Sequence, residues 1–83
     1  MNPHFASLVL GLAHQAQSAL GGELPAGAEG ADAREIARTL IDTLGMLEEK
    51  TRGALEDDER VLLEQALTSL RFHFVQLQTG GGG

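Results

Sequence analysis

Eighty-three residues allow one domain, and the absence of cysteine excludes disulfides, thiolate metal sites and thiol nucleophiles. Twelve acidic residues against six basic ones give a net charge of −6, the opposite of the footprint that holds phosphates, so nucleic acid is not an expected partner. With the Gly-rich stretches at 21–30 and 80–83 set aside, about 65 residues remain for a core, which is marginal for a lone monomer and argues for a stabilising partner.

Residues 1–22 carry no charged side chain, and Phe5 to Ala13 is apolar apart from Ser7 and Gly11. A membrane span needs about 20 apolar residues. His4, His14, Gln15, Gln17 and Ser18 interrupt this stretch, and no Lys or Arg precedes it as a secretory leader requires. The expectation is a cytoplasmic protein with no membrane span. Asn2-Pro3 reads as a helix start, because the Asn side chain accepts an orphan N–H and Pro lacks one, so a first helix is predicted over about 3–20. At 100° per residue, Phe5, Leu8, Val9, Leu12, Ala13, Ala16, Ala19 and Leu20 share one arc, and Gly21-Gly22 ends the helix.

Residues 21–31, with Pro25, Gly27 and Gly30, have loop chemistry. Asp32-x-x-Glu35 then has the spacing of a capping box and opens a second helix, predicted over 33–52. Its apolar arc holds Ala33, Ile36, Ala37, Leu40, Ile41, Leu44 and Leu47. Arg34, Glu35, Arg38, Asp42 and Glu49 lie on the far side, and Arg38 with Asp42 and Glu48 with Arg52 stand four apart and can pair. Gly53 supplies a left-handed residue after it, and Leu55 is placed to fold back on the last turn.

A third helix, predicted over 57–78, begins in the acidic run Glu56 to Glu59, favourable at the positive end of a helix dipole. Leu62, Leu63, Ala66, Leu67, Leu70, Phe74 and Leu77 form its core arc. About 180° away runs a narrower stripe, Val61, Gln65, Thr68, Phe72 and Val75, at alternating spacings of four and three, which is the pattern of a coiled-coil seam. The Gly80 to Gly83 run is expected to be a flexible tail.

From the second helix onward the chain resembles the bacterial domain-of-unknown-function family 1844. The residues that carry the likeness are Ala37, Ile41-Asp42, Leu44, Met46-Leu47, Glu49-Lys50-Thr51, Gly53, Leu55, Glu59, Leu62-Leu63, Leu70-Arg71 and Val75. Phe5, Leu8, Leu12, Leu20-Gly21 and Pro25 extend it more loosely, so that it covers about residues 4–75. Ala54 and Phe74 depart from the pattern, which has Asn and Tyr there. The resemblance implies a short helical domain and carries no established activity, so no catalytic residue comes with it.

Chemistry-bearing residues are sparse. His4 and His14 are about 15 Å apart along one helix, too far to share an ion, and His73 sits at the border of the core arc, where a hydrogen bond to a neighbour is the commoner role. Ser7, Ser18 and Ser69 fall in no nucleophile elbow. Neither a catalytic set nor a cofactor or metal site is expected. Asp42, Lys50 and Arg71 are candidate structural ion-pair positions at a helix seam. The expected architecture is all-α: three helices, the second and third forming an antiparallel hairpin, completed by self-association, with a dimer favoured. The expected role is a self-associating scaffold or protein-protein interaction module engaging itself or an unidentified protein. The alternative is a helical binder of a small apolar ligand or metal between the first helix and the hairpin.

Overall fold

The computed structural model describes residues 1–23 and 32–80, with side chains as far as Leu77. Residues 24–31 of the expected connector and 81–83 of the expected tail lie outside the described residues. The described chain is three helices, α1 (Pro3–Leu20), α2 (Ala33–Lys50) and α3 (Asp57–Gly80), and all three pairs pack together.

Each helix begins where a side chain meets its orphan amides. Asn2 Oδ1 accepts from the amides of His4 at 2.8 Å and Phe5 at 3.2 Å, and Asp32 Oδ1 accepts from Arg34 N–H at 2.9 Å. α1 ends in a Schellman arrangement: Gly22, at φ +89°, donates to Ala19 O, and Glu23 N–H donates to Ser18 O. α2 stops at Lys50 rather than at 52, because Thr51 leaves the helical conformation and its hydroxyl turns back to donate to Leu47 O at 2.7 Å. Gly53, at φ +82°, then reverses the chain into α3. α3 runs on through Gly80, two residues past the predicted end, since each added residue gains a backbone bond that offsets its ordering.

Two tertiary bonds fix the direction of α1. Asn2 meets Glu59 at the start of α3, and Gln17 Oε1 lies 3.0 Å from His73 Nδ1 far along it, so α1 and α3 run parallel. α2 runs antiparallel to both, an up-down-up bundle. The core between them is Val9, Ala16, Leu20, Ala37, Ile41, Leu44, Leu63, Leu67 and Leu70, with Ala19. The small residues Ala16, Ala19 and Ala37 let the backbones approach, and the leucines of α2 and α3 fill the space so opened.

Two residues expected on core arcs are exposed. Leu8 precedes Val9 by one position and so sits about 100° round the helix from the centre of the buried face. Leu77 points along the core direction of α3, but α1 ends three residues beyond the Gln17–His73 level, and Leu77 lies at that rim. No helix among the described residues is long and apolar enough to cross a membrane.

Candidate interaction surface

The stripe Val61, Gln65, Thr68, Phe72 and Val75 lies on the outward face of α3, opposite buried Leu63, Leu67 and Leu70. Val61 is 40% exposed, Val75 55% and Phe72 65%. Single apolar side chains on a surface are ordinary. Here three large ones align over about 20 Å of one helix, with only the neutral Gln65 and Thr68 between them, on a chain of net charge −6. The acidic and basic groups of α3 are displaced to its flanks, with Glu64 and Arg71 together on the flank that faces α2.

Among the described residues the three candidate ion-pair positions form no network. Asp42 Oδ2 lies 4.0 Å from Arg38 Nε, one turn back on its own helix and exposed, and Lys50 is exposed. Arg71 has no ion pair among the described residues; its Nη2 instead lies over Gly45, 3.1 Å from where a Cβ would stand. Arg71, Asp42 and Arg38 do border one cleft of about 200 Å³ together with Ile41, Phe74 and Val75. They line one groove, with the Arg71 guanidinium turned onto α2 at Gly45.

Beside Gln17–His73, a polar tie that crosses the bundle is made by Glu59. It is only 5% exposed, with Oε2 accepting from Asn2 N–H at 2.8 Å and Oε1 accepting from Glu56 N–H at 3.0 Å. One carboxylate thus caps the start of α3 and holds the start of α1 beside it. These two amides, Asn2's first, hold its pKa below the usual carboxylate range against the opposing cost of burial. The Met1 amino group lies 3.3 Å from Asp58 Oδ2 and 3.9 Å from Glu56 Oε1, and its pKa is raised, chiefly by Asp58. A local signal for Glu59 was present: it precedes Leu63 by one turn and so shares the core arc of α3, unlike Glu56, Asp57 and Asp58. Its partner was not readable, since Asn2 stands 57 positions away.

A second cleft, of about 370 Å³, lies at the α2–α3 turn between Glu48, Thr51, Arg52, Leu55, Arg60 and Glu64. Arg60 Nη1 is 3.2 Å from Glu64 Oε1 on its rim. Among the described residues no three side chains able to ligate a metal are gathered in one place. No curated protein and no solved structure matches the chain. The family described as Domain of unknown function (DUF1844) matches residues 2–76, which takes in α1, α2 and most of α3, and the chain belongs to that family.

Proposed function

We propose that this protein is a small self-associating helical module, a cytoplasmic scaffold or recognition element whose contact surface is the outward face of α3. One observation carries the reading: Val61, Phe72 and Val75 stand exposed in line on a helix whose opposite face is already filled. A row of this kind loses water-exposed apolar area only when another surface covers it. Gln65 and Thr68 between them bring no charge into the contact, so two copies of an acidic chain meet there without opposing carboxylates.

The test is the solution mass by light scattering over a concentration series, with and without a chelator. The expected result is a dimer or larger assembly that the chelator leaves unchanged. Replacing Phe72 and Val75 together by Glu should give a monomer of unchanged helix content. A variant that stays dimeric removes this choice of surface.

A further inference from the structure

The direction and register of the contact follow from the charges that flank it. We infer that two copies pair through α3 in antiparallel orientation, with Phe72 opposite Val61 of the second copy, Gln65 opposite Thr68, and the twofold axis between Ala66 and Leu67. This rests on the self-association proposed above and adds its geometry.

The seam positions alternate by four and three, so the residues immediately before Gln65 and Phe72, namely Glu64 and Arg71, share one flank. In an antiparallel pair the same flanks of the two helices face each other, because a twofold axis across the helices carries each flank onto itself. In the stated register Glu64 then meets Arg71 of the second copy, and the symmetry makes this pair twice. Sliding the helices by seven residues in one direction sets Arg71 against Arg71; sliding in the other sets Glu64 against Glu64 and, although Arg71 then meets Asp57, leaves Phe72 and Val75 beyond the start of the second α3 with nothing to cover them. A parallel pair sets Glu64 beside Ser69 and Arg71 beside Gln76, with no opposite charges. Only the one register pairs Glu64 with Arg71 and at the same time covers Phe72 and Val61; one neighbour opposes like charges, and the other uncovers the apolar stripe.

To make this pair Arg71 turns its guanidinium from Gly45 of α2, against which Nη2 rests, toward the second copy. Arg71 is exposed and has no ion pair among the described residues. Glu64 is bonded to Arg60 through Oε1, which leaves Oε2 for a second guanidinium. The outermost layer, Val75 opposite Asp58 of the second copy, contributes least.

Glu64→Arg and Arg71→Glu each convert two attractive pairs into two repulsive ones and should weaken self-association about tenfold. Mixing the two variants in equal amounts restores both attractions, so the mixture should associate within about threefold of the unmodified protein. Because the chain has no cysteine, V61C and F72C give a second readout. Oxidation should crosslink the mixture of the two and neither protein alone, since Val61 lies about 16 Å along the axis from its own copy in this register. If the unmodified protein is monomeric at every concentration, self-association itself fails and the register with it. If it dimerises but the charge variants behave like wild type, and each cysteine variant crosslinks to itself, the antiparallel register is wrong while the dimer stands.

Discussion

The Glu59 carboxylate accepts the Asn2 amide at 2.8 Å, joining the first turn of α3 to the cap of α1. The amides of Asn2 and Glu56 stabilise its charged form, so its pKa in the fold lies below that in the unfolded chain, about 4.3. The stability it contributes is fully present above the unfolded value and is lost as the pH falls through the lower, folded one. Glu59→Gln keeps the shape and removes the charge. Thermal melts from pH 7 to pH 3 should show a lower melting temperature for the variant at neutral pH, with the two curves converging as the acid limit is approached. Parallel curves at every pH would mean that the carboxylate makes no charged contribution.

Gly45 is a helix-interior glycine whose missing Cβ is occupied by the end of a flexible side chain, Arg71 Nη2 at 3.1 Å. Alanine there removes the entropic penalty of glycine, and the guanidinium needs to move only a few tenths of an ångström. Gly45→Ala should therefore stabilise the protein by up to about 1 kcal/mol in urea unfolding. A loss of stability would show that Arg71 is held firmly in place.

Gly53 calls for the opposite outcome. At φ +82° it reverses the chain between α2 and α3, a conformation an L side chain resists. Gly53→Ala should cost about 1–2 kcal/mol although nothing stands within 4 Å of the added carbon. Neutrality would mean that the turn relaxes to another conformation.

Leu67 and Phe72 separate folding from association. Leu67 is buried in the three-helix core, so Leu67→Ala should cost about 2–5 kcal/mol, a large share of the stability of so small a domain. Phe72 is exposed, and Phe72→Ala at a concentration where the protein is monomeric should change unfolding by no more than about 0.5 kcal/mol while weakening self-association. A large loss in the isolated monomer would show that Phe72 serves the fold.

The helices were legible because their signals are local. Asn2-Pro3, Asp32, Gly22 and Gly53 mark ends by backbone chemistry, and the core arcs follow from a period of 3.6. Leu8 and Leu77 were misplaced because a helical wheel has neither a width nor an end, whereas a real neighbour has both. Two readings were open for Asp42, a pair with Arg38 four residues back and a place in an ion-pair network at a helix seam, and the structure shows the first. Periodicity gives a residue's face but not which of two nearby cations its carboxylate meets. The same limit hid the Asn2–Glu59 bond, which needs the relative height of two helices. The α3 stripe was readable as a pattern, and its exposure depends on α1 and α2 both packing on the other side.

The parallel placement of α1 and α3 sets an order of events. α1 with α2 and α2 with α3 are consecutive elements that can meet after short loop closures, whereas Asn2 and Glu59 are separated by nearly the whole fold. By sequence separation, their bond is expected to close after α2 has joined the outer helices and to open before the contacts within each consecutive pair. Solvent exchange at the Asn2 amide accordingly reports whether the bundle has closed, while a partly assembled α2–α3 hairpin already protects the amides within those two helices.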